Sequence, residues 1–354
     1  MKRKITILSM ALMPFIANVL KAQQNFTAGN LVVVRVGDGS AAMSDNASAI
    51  YLDEYKTSGG TRVQAIQLPT TTTAPNYRIL VSAMSGAGNG TTQGFPTLSP
   101  DGRYLVIPGY DAASGTTLSD LYTATTGRVF AVVSNGATQP VINTSTRVPI
   151  GNGDNRVAVT SDGNSIWFGG TGGGVQYTTL GSNTSITVSS TPVSTRGGGL
   201  DIFNGQLYQS TNTTDFRIAK IRDGLPTTEI PITIPPTPTA TNLEGIPRDA
   251  TNSNAPGQDL AGGFVFFDVN QAIPGNDLLY FVSDINGTDG LTGGHLRKYV
   301  RTATSGENWV FAGGVSAVNA NNVARVTANT DVTGLRSLIG TLVDGVPNLY
   351  AASN

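Results

Sequence analysis

Short apolar runs bounded by glycine, proline or Asx residues set the rhythm of this chain. Leu31 to Val36 is nearly continuous in apolar residues, which reads as a buried strand, and Gly37-Asp38-Gly39 ends it. In Val63 to Leu68 polar and apolar positions partly alternate, as expected of a strand with one wet face. Similar β-rich runs fall at 49–55, 78–84, 104–107, 128–133, 175–180, 185–189, 200–209, 216–221, 264–269, 278–284, 295–302, 309–313, 336–343 and 348–352. No window of helical length shows the 3.6-residue recurrence with caps that an amphipathic helix needs, so the chain is expected to be all-β.

One unit recurs. Leu98-Ser-Pro-Asp-Gly-Arg-Tyr-Leu-Val-Ile107 sets a proline-glycine corner before an aromatic-bearing strand, and looser copies follow at 159–169, 201–208, 275–282 and 342–350. Their glycines stand at 102, 163, 205, 275 and 345. Roughly twenty strands exceed one sandwich, and repeated turn-strand units suit a β-propeller of four-stranded blades around a central channel. About seven blades are expected, with six or eight left open because the spacing is irregular. Pairing of the N- and C-terminal strands would close such a ring and remove an exposed edge. Ile230 to Pro238 is proline-rich, so it should hug an edge and not fill a central strand.

The first 22 residues read as a cleaved secretory signal: Lys2, Arg3 and Lys4 precede an apolar stretch that ends at Ala22. Residues 23–354 are then a single domain, secreted, periplasmic or at the cell surface. Removing the signal takes Lys2, Arg3, Lys4 and Lys21 and no acidic group. That leaves 18 of the 22 basic residues against 23 acidic ones, net −5. A mildly acidic mature chain argues against nucleic acid and anionic membrane as partners. No second hydrophobic span follows, and a monomer is expected. The chain has no cysteine, which excludes disulfides and thiol chemistry.

Candidate chemistry is sparse. His295 is the sole histidine, so a Ser-His-Asp hydrolase would have to use it; no nucleophile elbow accompanies it, and a turn or surface role is favoured. Asp284, Asn286 and Asp289 concentrate oxygen ligands in a glycine loop that could hold calcium, although the spacing is one residue too long and no bidentate carboxylate follows. Asp38, Asp53 and Glu54 sit at strand ends as acids that a propeller channel could use as ligands, or as solvated loop residues. Arginine outnumbers lysine in the mature chain, 15 to 3. One reading gathers Arg35, Arg103, Arg156, Arg196, Arg248 and Arg336 around a funnel that grips an acidic ligand, with Arg103, Arg156 and Arg196 as ligand contacts; the plainer one pairs arginine with aspartate between blades. Trp167 and Trp309 lie inside strands and read as core. Gly172-Gly-Gly174 is no phosphate loop, because neither Gly-Lys-Ser/Thr nor a helix follows.

The opening Phe26-Thr-Ala-Gly-Asn-Leu-Val-Val-Val-Arg-Val-Gly-Asp-Gly39 resembles a group of uncharacterised exported bacterial proteins. So do Tyr51 to Tyr55, Val63 to Pro69, the Asp101-Gly-Arg-Tyr-Leu-Val unit and Gly172 to Tyr177. The resemblance implies export and a propeller fold and brings no catalytic residues. Members often carry a C-terminal sorting tail, and no such tail is written before Asn354. Together these readings predict a non-catalytic exported propeller that binds or scaffolds an extracellular ligand. The alternative is a calcium-dependent hydrolase of the phytase or lactonase kind, with acids converging in the channel.

Overall fold

In the computed structural model of the chain, β1 (Leu31–Val36) lies antiparallel to β2 (Ala47–Tyr55), which also takes β3 (Arg62–Gln67) and β4 (Leu80–Ser82). The residues it describes are 23–40, 42–82, 93–123, 125–149, 153–170, 173–191, 199–210, 218–230, 240–246, 262–283, 295–316 and 335–353. Through β4 the first sheet continues into β5 (Thr97–Leu98), β6 (Leu105–Tyr110), β7 (Arg128–Asn135), β8 (Pro140–Asn143) and β9 (Arg147–Val148). Its nine strands are followed by three four-stranded antiparallel meanders. The second sheet is β10 (Val157–Thr160), β11 (Ser165–Gly169), β12 (Val175–Thr179) and β13 (Ile186–Ser189). The third is β14 (Leu200–Phe203), β15 (Gln206–Ser210), β16 (Ile218–Ile221) and β17 (Ala240–Asn242). The fourth is β18 (Phe264–Phe267), β19 (Leu278–Ser283), β20 (His295–Val300) and β21 (Val310–Ser316). A two-stranded ribbon, β22 (Leu335–Val343) with β23 (Val346–Ser353), comes last.

The protein is all-β. A single helical turn, α1 (Leu118–Leu121), interrupts the strands among the described residues, and Thr117 caps it by accepting from the Asp120 amide. Corners form where the glycines predicted them. Asn204-Gly205 and Asp344-Gly345 both place two successive residues at positive φ (47° and 72°, 51° and 75°), the backbone of a two-residue hairpin turn that suits Asx-Gly.

Successive sheets pack face to face, and the period of two along each strand decides which seam a side chain enters. In β10, Ala158 joins Val106, Phe130 and Phe168 in the seam with the first sheet, while Val157 and Val159 join Trp167, Leu200, Ile202 and Leu207 in the seam with the third. In β18, Phe264 and Phe266 face Tyr208 and Ile218 of the third sheet, while Val265 and Phe267 face Leu338 of the ribbon. Strands buried on both faces have no reason to alternate polar with apolar, which is why they read as continuous hydrophobic runs. Trp167 and Trp309 are core residues, 1% and 5% exposed; the Trp167 indole donates to the Pro226 carbonyl at 2.7 Å across the seam between the second and third sheets.

Among the described residues β1 pairs with β2 and β23 with β22, with no ladder between the two ends of the chain. Of the proline-rich segment, Ile230 donates its amide to Thr187 beside edge strand β13, and residues 231–239 lie outside the described residues. The segment ends in β17, an edge strand of the third sheet.

Candidate functional site

The residues entering β10 are polar and buried. Asp154, Asn155 and Arg156 are 7%, 1% and 4% exposed and directly precede the apolar Val157 to Val159. A parallel contact holds them against the segment leading into β5: Gly94 donates its amide to Asn155 at 3.3 Å, Phe95 donates to Arg156 at 2.8 Å, and Phe95 bridges Val157. Asn155 fastens the other side, donating its side-chain amide to the Gly109 carbonyl at 2.9 Å and its backbone amide to the Tyr110 hydroxyl at 2.7 Å. Gly170 closes the back, where a β-carbon would run into the Asp154 carbonyl.

Among the described residues, two guanidinium groups share this space with one carboxylate. Arg156 Nε donates to Asp154 Oδ2 at 2.5 Å with both side chains almost fully buried. Arg128, on β7 and 2% exposed, spends its donors on carbonyls: Leu121 at 2.9 Å, Thr126 at 3.2 Å, and Gly153 across the seam. Its guanidinium carbon lies 4.8 Å from the centre of the buried Tyr110 ring. Burial pulls Arg128 below the ordinary arginine pKa and pushes the Tyr110 hydroxyl well above the ordinary tyrosine value. The Tyr122 hydroxyl accepts from Gln93 Nε2 at 2.7 Å; Tyr122 is raised as well, first by burial and then by the charge of Asp154, with Arg156 and Arg128 opposing. Tyr122 is half-buried and forms the more accessible side of the group. The remaining gap in the hydrogen bonding falls on Asn155 Oδ1 and Arg156 Nη1, buried atoms that no partner reaches. One of these atoms is a donor, Arg156 Nη1, and the other an acceptor, Asn155 Oδ1, so a ligand here would have to offer both an acceptor and a donor.

The other sequence-predicted residues are dispersed. Arg103 stands on the exposed Asp101-Gly102 turn, bonded to its own neighbour Asp101 at 2.6 Å, while the Ser99 hydroxyl and Arg103 together pull Asp101 down to about 2. Arg35 binds the buried Asp53 at 2.7 Å and stacks 4.3 Å from Tyr51. Glu54 accepts from the Thr27 amide, Asn30 and Gln64, and so ties the N-terminal segment to β2 and β3. Asp38 accepts from Ser40 in an exposed turn. Arg336 is buried at the start of β22, where its carbonyl accepts from Gly263. His295 opens β20, paired in register with Ser283 and Ser316. Arg196, Arg248, Asp284, Asn286 and Asp289 lie outside the described residues. Among the described residues no cluster of three potential metal ligands forms.

The arginine-aspartate pairs with both partners described do not run between sheets, as the plainer reading expected. Asp111 takes Arg78 at 2.9 Å and Arg147 at 2.8 Å, all within the first sheet, and Arg35 with Asp53 joins β1 to β2. Apart from Arg128 on the Gly153 carbonyl, neutral groups cross the seams instead. Thr97 Oγ1 donates to the Ala158 carbonyl at 2.6 Å, Ser210 Oγ to Gly262 at 2.7 Å, and Asn204 to Asn276 at 2.8 Å.

Sequence reasoning flagged Arg156 and missed Gln93, Tyr122, Arg128, Asp154 and Asn155. A usable signal was the run Asp154-Asn-Arg156 set directly against an apolar strand, since polar residues buried at a strand entrance must find partners from another element.

No family model and no curated protein matches the chain. Among solved structures, it is similar to a structural-genomics protein of unknown function from Bacteroides thetaiotaomicron, with 12% identity and a TM-score of 0.43, covering 89% of this chain and 65% of that one. It is also similar to the periplasmic gluconolactonase PpgL of Pseudomonas aeruginosa, with 12% identity and a TM-score of 0.41, covering 92% of this chain and 76% of that one. The chain thus spans slightly under two thirds of the first protein's length. Scores this low leave the fold of this chain to rest on its own strand pairing.

Proposed function

We propose that this chain is an exported, non-catalytic β-propeller that binds a ligand outside the cell, with the polar group at the entrance to β10 as its binding locus. The observation that carries this reading is the placement of that group. Strand β10 packs between β6 and β14, and the polar residues at its start are buried, with Asn155 bonded to the neighbouring sheet and Arg156 Nη1 left without a hydrogen-bond partner. Rigid polar atoms that the fold itself leaves unsatisfied suit recognition, because little ordering remains to be done when the ligand arrives.

The face-to-face sequence of four-stranded sheets supports a radial arrangement. About seven blades, with β1 closing the ring against the last sheet, complete the proposal.

The test is to incubate the purified mature chain with a panel of small metabolites and oligosaccharides while following melting temperature and ligand integrity together. Binding without catalysis predicts a ligand that stabilises the protein and is recovered unchanged. Turnover that depends on calcium and stops with chelator would overturn it in favour of the hydrolase.

A further inference from the structure

Three consecutive residues near the start of the described chain are each held by a carboxamide that exchanges a donor and an acceptor with the backbone. The Gln24 amide donates to Gln64 Oε1 at 3.0 Å, and Gln64 Nε2 donates to the Gln24 carbonyl at 2.7 Å. Asn25 pairs with Gly136 in the same way, donating through Nδ2 to its carbonyl at 2.7 Å and accepting its amide at 3.0 Å. Asn135 grips Phe26, accepting its amide at 2.9 Å and donating to its carbonyl at 3.0 Å. The Thr27 amide then donates to the buried Glu54 at 2.8 Å. A chain end is ordered where it is tied down, and among the described residues the ties begin at Gln24. Gln23 is exposed and stands outside the clamp. It alone separates the first clamped residue from Ala22, the last residue of the leader read in the sequence.

Resting on the export reading above, with the leader cut after Ala22, we propose that Gln23 becomes the first residue of the mature protein and closes on itself as a pyroglutamate. The uncharged α-amine attacks the side-chain carbonyl carbon. A bond forms between that carbon and the α-nitrogen, the bond from the carbon to the side-chain nitrogen breaks, and ammonia leaves with the proton that the amine gives up. No oxidant, reductant or co-reactant is consumed. Nucleophile and electrophile sit on one residue, so the five-membered ring closes without a bimolecular encounter. An α-amine titrates at about pH 8, which leaves part of it uncharged and nucleophilic in a neutral medium. The exposure of Gln23 gives its side chain room to fold back over its own nitrogen. The product carries a lactam where an ammonium would stand, so an aminopeptidase finds no amine to engage. The clamp from Gln24 to Phe26 is then shielded from stepwise trimming at its own end.

The test is to express the full chain in an exporting bacterium, purify the protein and read its N-terminal peptide by tandem mass spectrometry, both fresh and after incubation at neutral pH. The peptide is expected to start at residue 23 and to be lighter than the encoded one by one ammonia, with the lactam fraction growing on incubation. Edman degradation of the wild type should be blocked until a pyroglutamyl aminopeptidase removes the ring. Gln23→Ala has no amide to attack, so it should be readable without that enzyme and should lose residues to a general aminopeptidase that leaves the wild type intact. A wild-type chain that begins at Gln23 with a free amine after incubation would overturn the proposal, and so would a chain cut at another residue; either result leaves export standing. A chain that still carries residues 1–22 removes the export reading and the proposal with it.

Discussion

Thr97 Oγ1 donates to the Ala158 carbonyl at 2.6 Å, and the bond crosses the seam between the first two sheets within the wall that holds the charged entrance to β10. The pair is buried, with Thr97 7% and Ala158 0% exposed. Thr97→Val preserves shape and leaves the carbonyl without this donor. Loss of a buried partner costs about 1–3 kcal/mol, so chemical denaturation should show a midpoint shift of that size with unchanged slope. An unaltered midpoint would mean that the seam does not depend on this bond.

Asp201 gives a pH dependence of unusual sign. It lies on β14, bonded to the amide of Ile202 at 2.7 Å, and burial pushes its carboxyl up to about 7. Below about pH 4 both folded and unfolded chains hold the proton, so the group contributes nothing. Between about pH 4 and 7 the folded protein alone holds it, and stability falls as pH rises until it levels off above the folded value. Asp201→Asn should therefore match the wild type at pH 4 and exceed it by about 2 kcal/mol at pH 8, less than the full shift implies because Asp201 is partly open to solvent. Denaturation curves at the two pH values check this.

Two glycine substitutions should separate backbone strain from crowding. At Gly205, φ is 72° and a β-carbon would meet nothing within 4 Å, so Gly205→Ala costs the left-handed conformation alone, about 1–2 kcal/mol. At Gly170 the added carbon runs into the Asp154 carbonyl, a backbone atom that cannot swing away. Gly170→Ala should cost more, because it pushes on the backbone that carries the Arg156 pair, and should be seen as a larger melting-temperature loss. Equal losses at the two positions would contradict the packing around Asp154.

Arg35 grips Asp53 through Nε at 2.7 Å and Nη2 at 3.2 Å, and Asp53 is 1% exposed. Arg62 stands farther off, at 3.7 Å. Arg35→Lys keeps the charge and loses the fork, and about 1–2 kcal/mol of stability should go with it; Arg35→Ala should cost about 3 kcal/mol, because Asp53 then stays buried with the distant Arg62. Denaturant titration of the two variants orders them, and the reverse order would show that Arg62 moves in to compensate.

Much of the strand content could be read from local chemistry. Leu31–Val36 was bounded correctly because glycines end it, but it is not the buried strand its apolar run suggested, since Val33 is exposed and the other five residues are half-buried; Asn204-Gly205 and Asp344-Gly345 specify their corners by the backbone they tolerate. What escaped was short or proline-bearing: β5 has two residues, β8 begins at Pro140, and β17 emerges from the proline-rich segment. Strands of that kind exist because a neighbour supplies their partners, and a local window contains no trace of the neighbour. The candidate site failed for the same reason. Gln93, Tyr122, Arg128 and Asn155 come from four separate stretches and meet through seam contacts such as Asn155 to Gly109, whereas Arg156 was visible only as one of many arginines.

The hydroxyl and amide links between sheets carry no net charge. Mobile ions therefore have nothing at those joints to screen, and Arg128, the charged group that reaches Gly153 across a seam, is buried away from them, so the stacking of one sheet on the next should be about as firm in brine as in dilute buffer. A protein joined this way can let its outer charges drift over generations without loosening its frame.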